Sequence, residues 1–468
     1  MTEANRSAAE FGGHPKGLYF LAFTEMWERF SFYGMTSLLT LYMTKQLLLP
    51  GHAENVAGLA GLHQVFEFVR HLFGAHTPMT NLAFAALIYG WYSGLVYFTP
   101  ILGGWIADRK LGANRTVIIG ALLMSAGHLA MAFDLSFLLA LVLLILGSGC
   151  LKGNISAQVG SLYPAEAESL RSRGFTIFST GINVGATAGP LVTGTVAAIY
   201  GWHAGFGVAA VLMLLALITY VVGQRYLPAS RPLGERKAKR APLNAAERRR
   251  IWVLFAIIAL TIPAEIAYPM IWSIGIVWVD QQVNLTSMFG TVPASWFNSV
   301  DSFGSILSAP VLVALWAWQS RRKAEPNSLG KMGIGMVLIA LAALVLAAGS
   351  ALAPAPGQVG VAWALGGFLA MGLAWMYYWP TLLALVSHSA PRSVTGAMVG
   401  AAFLSPFIAH TAAGMVGSFY DQMSPATFWT MDAGIALLGA ALVFALRGPL
   451  GRVLDQPLEA GAASTGSA

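Results

Sequence analysis

The sequence predicts an all-α integral membrane protein of twelve transmembrane helices, arranged as two six-helix bundles. Three observations carry that expectation: a lipid-compatible composition, twelve apolar runs of spanning length, and basic residues that recur on one side only. Of 468 residues, 56% are hydrophobic and 10% charged, against roughly 25% charged in a soluble protein. The mean hydropathy is +0.65. Such a chain lacks the polar residues to cover itself, so a lipid bilayer must solvate most of it. Long alternating strands are missing from the sequence, which argues against a β-barrel. The net charge of +7 follows the topology described next and does not point to a nucleic-acid partner.

A span needs about 20 apolar residues. The first run, 17–44, follows a polar stretch, 1–16, that holds no short apolar core with a small-residue cleavage site, so it is expected to act as its own insertion signal. Loop 45–80 comes next; within it VAGLAGLHQVFEFVRHLFG has helical periodicity and is expected to lie at the interface. Spans 2 to 6 are expected at 81–107, 115–133, 136–162, 173–197 and 203–226. The stretch from Arg225 to Arg250, RYLPASRPLGERKAKRAPLNAAERRR, reads as a linker because it is rich in Pro, Ala and charge. It sets the expected domains: bundle 1–226, a basic cytoplasmic linker 227–249, and bundle 250–468. Spans 7 to 12 are expected at 250–280, 293–320, 330–351, 359–388, 393–419 and 425–447, followed by a small polar tail expected to be disordered.

Basic clusters follow the even-numbered spans: Arg109, Lys110 and Arg115; Arg171 and Arg173; Arg225 to Arg250; Arg321, Arg322, Lys323 and Lys331; Arg447 and Arg452. Loops after odd-numbered spans hold little beyond Lys45 and Arg70, so both termini are expected in the cytoplasm. The loops GGWIADRKLGANR after span 2 and WAWQSRRKAEPNSLGK after span 8 echo each other faintly. Two halves with corresponding loops suggest the parallel duplication of a major-facilitator transporter. In the first loop Gly103 and Gly104 are expected to admit close helix approach. Asp108, beside Arg109, is expected to pair with basic residues of the other half in one conformation and release them in another. GATAGP, Pro380 and Pro406 suggest pivots. Cys150 is the sole cysteine, which excludes an intrachain disulfide.

The first span carries EMWERFSFYG, with Glu25, Glu28 and Arg29 inside one apolar run. A charge at a helix centre costs about 2.5–3.5 kcal/mol on insertion scales, so such groups are expected to face a polar cavity and to have partners. Spacings of three and four put all three on one helical face. Two carboxylates and one guanidinium leave a deficit of one cation, which Lys152 in span 4 is placed to supply. The four groups are neutral when all are ionised, and protonating one Glu frees one cation to bind a substrate carboxylate. A structural ion-pair lock is the alternative. An enzyme is not expected, since HExxH, GxSxG and Cys/His metal spacings are lacking.

These segments resemble the proton-coupled oligopeptide transporters of the major facilitator superfamily, in their bacterial form. EMWERFSFYG is similar to that family's ExxERFxYYG motif, VYFTPILGGWIADRKLG to its span 2 and first cytoplasmic loop, GSGCLKGNISAQVGSLY to its span 4 motif, and FTIFSTGINVGATAGPL to its FYxxINxG signature. The match covers nearly the whole chain and is strongest in the first half. The resemblance implies proton coupling by Glu25 and Glu28, binding of the peptide carboxylate by Arg29 and Lys152, and peptide contact by Tyr33, Tyr97 and Asn183.

Departures from the family pattern matter as much. Phe32 replaces the first tyrosine of the pair, Gly153 the proline after the lysine, and Ser179 the tyrosine of FYxxINxG. Gly90 stands where animal members carry a histidine, and Ala402 where span 11 has a tryptophan. The span 10 glutamate that holds the peptide amino group is Trp375 here. Its ring face is expected to attract an ammonium by roughly 0.5–2 kcal/mol. Asp301, aligned with a cavity asparagine, and Glu265, about one turn before the family's span 7 glutamate, are the candidate substitutes. Asp301 is the favoured amino-group anchor; a helix-end residue facing an external funnel is its alternative. Glu265 is equally a proton site or gate.

The expected function is a proton-coupled symporter importing di- and tripeptides by alternating access across a bacterial inner membrane. It would act as a monomer with protons as coupling ion and no other cofactor. A carrier of another small carboxylate or peptide-like solute is the nearest rival, and a non-transporting receptor on the same fold a more distant one.

Overall fold

The structure, a computed structural model, describes residues 10–456 except 75, 165, 229–242, 289 and 392. In chain order its helices are α1 (Lys16–Tyr42), α2 (Leu59–Leu72), α3 (Asn81–Ile106), α4 (Ala113–Ala130), α5 (Phe137–Ser161), α6 (Glu168–Tyr200) and α7 (Trp202–Gly223). They continue as α8 (Ala245–Ala267), α9 (Ile274–Gln282), α10 (Trp296–Arg321), α11 (Ser328–Leu352), α12 (Val361–Ser389), α13 (Thr395–Ala402), α14 (Leu404–Gly417) and α15 (Pro425–Leu454). Two hairpins of two-residue strands, β1 (Glu10–Phe11) with β2 (His14–Pro15) and β3 (Thr286–Ser287) with β4 (Gly290–Thr291), complete the described elements. Among the described residues ten helical segments are long and apolar enough to cross a membrane. The other two expected spans are α1, diluted by Glu25, Glu28 and Arg29, and α4, 18 residues long and diluted by Asn114, Arg115 and His128. The chain is therefore a multi-pass membrane protein.

Two expected spans are not single helices. Span 7 breaks after Ala267 into a 3-10 turn, Tyr268–Trp272, before α9. Pro269 lies in that turn and has no N–H to continue the α ladder. Span 11 breaks at Phe403 between α13 and α14. Pro406 cannot donate to the Ala402 carbonyl, and the Ser405 hydroxyl donates to it instead at 2.8 Å. Irregular backbone at membrane depth is tolerated where it is buried or lines a cavity, and both breaks do line one.

The expected linker also starts and ends differently. Asn244 and Glu247 form a reciprocal capping box, so α8 begins five residues earlier than the expected start of span 7. Residues 229–242 of the linker and 457–468 of the tail lie outside the described residues. Loop 45–80 contains α2 as its periodicity implies, with Phe66 packed on Phe84 and Trp91. Arg70 is buried against Phe419.

Helices α1, α6 and α7 pack together, as do α3, α4 and α5; in the second half α8, α11 and α15 pack together and α12 joins α10 to α11. The α1–α6 seam explains the glycines of span 5. A Cβ on Gly181 would meet the Ala22 carbonyl oxygen at 2.8 Å, one on Gly185 the Met26 oxygen at 2.3 Å, and one on Gly189 the Phe30 oxygen at 2.6 Å. Both sets advance by four residues, the small-residue spacing that lets membrane helices touch. The expected pivot GATAGP is thus part of a packing seam that fixes the rotation of α1. Gly103 presses on Gly149 in the same way, whereas Gly104 faces open space. Of that pair only Gly103 supports close approach.

The halves meet through α3 with α14 and α6 with α10. Among the described residues, the polar links between them gather at one end. Lys45 pairs with Asp280 at 2.5 Å, Thr80 donates to Asp421 at 2.6 Å, Gln422 donates to Thr77 at 3.1 Å, and the Trp296 indole donates to the Leu191 carbonyl at 3.1 Å. This is the end of the odd-numbered loops. At the other end Asp108, Arg109 and Lys110 are exposed, and Asp108 makes no ion pair among the described residues.

Closure depends on Gly90, whose added Cβ would lie 2.5 Å from the Gly414 Cα. No side chain fits there in this arrangement, so the missing histidine has a steric reason. Gly90→Val is expected to cost the closed arrangement about 1–3 kcal/mol by overpacking. The measurement is the disulfide yield in a Lys45→Cys/Asp280→Cys pair, which should fall when Gly90→Val is added.

Candidate functional site

A cavity of about 750 Å³ lies between the halves. From the first half it is lined by Glu25, Arg29, Phe32, Tyr33 and Thr36 of α1, by Tyr89, Ser93, Val96, Tyr97, Pro100 and Ile101 of α3, by Lys152, Gly153 and Ser156 of α5, and by Ile182 of α6. From the second half it takes Tyr268, Pro269 and Trp272 of the broken span 7, Trp375 and Trp379 of α12, Gly396, Val399, Gly400 and Phe403 around the break in span 11, and His410 of α14.

The charged groups of α1 form a tight set. Two Arg29 nitrogens reach one oxygen of Glu25, Nε and Nη2 each at 2.8 Å. The Arg29 Nε also lies 2.9 Å from Glu28 Oε2. Glu25 and Arg29 edge the cavity, while Glu28 is fully buried behind them. Among the described residues the second oxygen of Glu25 and both of Glu28 lack a hydrogen bond.

Lys152 lies within electrostatic reach of both glutamates without touching them. It makes no ion pair with either glutamate among the described residues. Its Nζ lies 4.4 Å from the centre of the Phe32 ring and 5.4 Å from that of Tyr97. The expected four-charge cluster is therefore a paired triad plus a cation held on aromatic faces, a geometry favoured by the ring quadrupole. Phe32, the departure from the tyrosine pair, makes that contact. Gly153 has open space around it, so the residue after Lys152 leaves that wall clear.

Tyr33 and Tyr97 line the cavity, as the resemblance implied, and each touches the other half: Tyr33 meets Trp272 at 5.1 Å and Tyr97 meets His410 at 4.9 Å between ring centres. Asn183 does not line it; its neighbour Ile182 does.

The expected amino-group anchors lie outside the cavity. Asp301 sits five residues into α10, 1% exposed, and accepts a hydrogen bond from Tyr268 Oη at 3.0 Å. It is neither at a helix end nor open to a funnel. A Cβ on Gly372 would come within 2.2 Å of the Asp301 carbonyl, so α12 is pressed onto this turn of α10 and Asp301 is sealed into the seam. Glu265 is buried between α8 and α12, where Tyr378 donates to it at 2.5 Å.

Trp375 does line the cavity, and two rings stack against it. Tyr268 stacks on it at 4.3 Å and Trp379 at 5.3 Å, with interplanar angles of 18° and 12°. An ammonium on the Trp375 face would therefore compete with two rings already stacked against it. Trp272, Trp379, Phe403 and His410 were not singled out from sequence. The usable signals were a tryptophan pair at four-residue spacing, Trp375 and Trp379, and an ionisable residue within span 11, His410.

Comparison with known proteins gives a consistent result. The profile described as the POT family matches residues 114–241 and 236–430. The "Di-/tripeptide transporter" of Lactococcus lactis subsp. cremoris is 27% identical, covering 96% of this chain and 98% of that protein. The "Uncharacterized transporter YclF" of Bacillus subtilis (strain 168) is 29% identical over 92% of this chain and 94% of its own. Among solved structures, "peptide transporter POT in complex with sulfate" superposes with a TM-score of 0.82 at 25% identity, covering 97% of this chain and 99% of that one. A mutant form described as in complex with alafosfalin superposes with a TM-score of 0.81 at 25% identity, covering 97% and 100%.

Proposed function

The chain belongs to the POT family, and we propose that it is a proton-coupled symporter of di- and tripeptides that works by alternating access. The observation that carries this reading is the paired Glu25–Arg29–Glu28 triad beside an unpaired Lys152 in one cavity between two bundles. Relatives named as di-/tripeptide transporters over nearly their whole length support the substrate class.

Charge balance supplies the coupling. With Glu25, Glu28, Arg29 and Lys152 all ionised, the set is neutral. A substrate carboxylate adds one negative charge in a site where uncompensated charge is costly. One proton on Glu25 or Glu28 restores neutrality and lets Arg29 share itself with the incoming carboxylate alongside Lys152. Proton and peptide then enter together. Tyr33 and Tyr97 flank the carboxylate end, while Glu265, held by Tyr378 away from the cavity, acts as a proton group of the second half.

The polar links gathered at the odd-loop end support a conformation closed on the outside, given the positive-inside orientation. Asp108 makes no ion pair here among the described residues and pairs with basic residues of the other half when the cytoplasmic end closes. We place the protein in a bacterial inner membrane with both termini cytoplasmic, acting as a monomer with protons as its coupling ion.

The test is uptake of a radiolabelled dipeptide panel by proteoliposomes under an inward proton gradient. Accumulation that a protonophore abolishes, and that C-amidated dipeptides compete for poorly, is the expected result. Equal accumulation with and without the gradient would overturn proton coupling. Equal competition by amidated and free peptides would overturn carboxylate capture.

A further inference from the structure

The ionisable and hydroxyl groups of the cavity are unevenly placed. Glu25, Arg29, Lys152 and the small hydroxyls of Thr36, Ser93 and Ser156 all come from the first half. Among the described residues the second half contributes no carboxylate to the lining. Its one hydroxyl there, on Tyr268, donates to Asp301 behind the wall, and its one ionisable group besides is His410, which offers no negative charge. The rest is ring surface and backbone: Trp272, Trp375, Trp379 and Phe403 with Pro269 and glycines.

Among the described residues the sole carboxylate on the lining is Glu25; Arg29 holds one of its oxygens with two nitrogens at 2.8 Å, and the other oxygen is buried. An ammonium on the ligand would find no free anion. The face of Trp375 is crowded by the stacked rings of Tyr268 and Trp379, and an aromatic edge carries the positive side of the ring quadrupole and repels a cation. Burying a charged amine against this wall leaves its desolvation uncompensated.

We infer that the peptide accepted by this cavity is amphipathic: its carboxylate lies on the Arg29–Lys152 side and its amino end lies against the aromatic wall in uncharged form, so that N-acylated dipeptides, best with an aromatic first residue, are the preferred class. This rests on the peptide-transport reading and narrows it. The Trp375 position is where selectivity is decided, because it is the centre of the ring stack that an ammonium would face.

The experiment uses the purified full chain in detergent and isothermal titration calorimetry with three matched ligands: Phe-Ala, N-acetyl-Phe-Ala and Phe-Ala amide. In the unmodified protein N-acetyl-Phe-Ala is expected to bind several-fold tighter than Phe-Ala, and the amide not measurably. Trp375→Glu supplies the absent acid and is expected to shift the ratio of the two affinities at least about tenfold toward the free peptide, the scale of one charge-assisted contact. Tighter binding of Phe-Ala than of its acetylated form by the unmodified protein would overturn the inference without any variant having to fold, and would leave the peptide reading intact. An unchanged ratio in a folded Trp375→Glu protein would overturn the assignment of selectivity to this wall. Binding of none of the three would overturn the peptide reading and this one with it.

Discussion

Lys152→Ala is expected to abolish accumulation driven by a proton gradient while sparing part of the exchange of labelled for unlabelled substrate. Lys152 is the cation of the site that no carboxylate holds within ion-pair distance among the described residues. Phe32 and Tyr97 keep it at the cavity surface with their ring faces, so a substrate carboxylate gains it without breaking a resident salt bridge. Removing one partner of a desolvated charge pair costs about 2–5 kcal/mol. The effect on coupling is larger in kind than the effect on binding. Without Lys152 the ionised triad carries one net negative charge, and a proton is needed merely to neutralise it; an added carboxylate then calls for a second. Exchange requires no net proton movement and should survive better. Proteoliposome uptake and counterflow measured on the same preparation separate the two. Full gradient-driven uptake by Lys152→Ala would remove the charge-balance mechanism.

Arg29→Ala is expected to be the most destabilising single change in the first half. It leaves Glu25 and Glu28, 2% and 0% exposed, without the guanidinium that both face. Breaking a buried pair in this way costs about 3–5 kcal/mol because a charge is stranded, and here two carboxylates lose one partner. The thermal midpoint of the purified protein in detergent should drop sharply. Adding Glu28→Gln and Glu25→Gln to Arg29→Ala should recover much of the loss, since neutral amides replace stranded charges, while transport stays absent. A single variant as stable as the parent would mean that water or lipid headgroups reach these carboxylates.

The two variants report on different parts of one site. Arg29 is structural and functional together, because its bonds hold the carboxylates in place before any substrate arrives. Lys152 contributes little to the resting fold beyond its aromatic contacts, so its loss reads out as function. A variant that lowered stability and transport by Lys152 substitution to the degree expected for Arg29 would show that the lysine is paired in another conformation.

Membrane insertion is a local property, and so the sequence by itself determined the spans. About 20 consecutive apolar residues are enough to identify a segment that partitions into lipid. The charges in EMWERFSFYG were legible for the same reason: a short, rigid helix puts Glu25, Glu28 and Arg29 on one face whatever surrounds it, and the Arg29 pairs are found as spaced. The resemblance to the POT family was likewise carried by contiguous motifs.

What the tertiary structure alone decided is which way the remaining intramembrane groups face. Asp301 was the favoured amino-group anchor in place of the glutamate that Trp375 replaces, yet Trp375 lines the cavity and Asp301 is sealed behind Tyr268. Lys152 was expected to balance the carboxylates; it lies within electrostatic reach of both and rests against two rings. Spans 7 and 11 read as uninterrupted apolar runs, and both are broken where they border the cavity. These outcomes depend on the rotation and depth of each helix against neighbours distant in sequence. Seams such as Gly185 on Met26, Gly372 on Asp301 and Gly90 on Gly414 set that rotation. A glycine shows in the sequence; the backbone it meets is chosen only when the bundle packs.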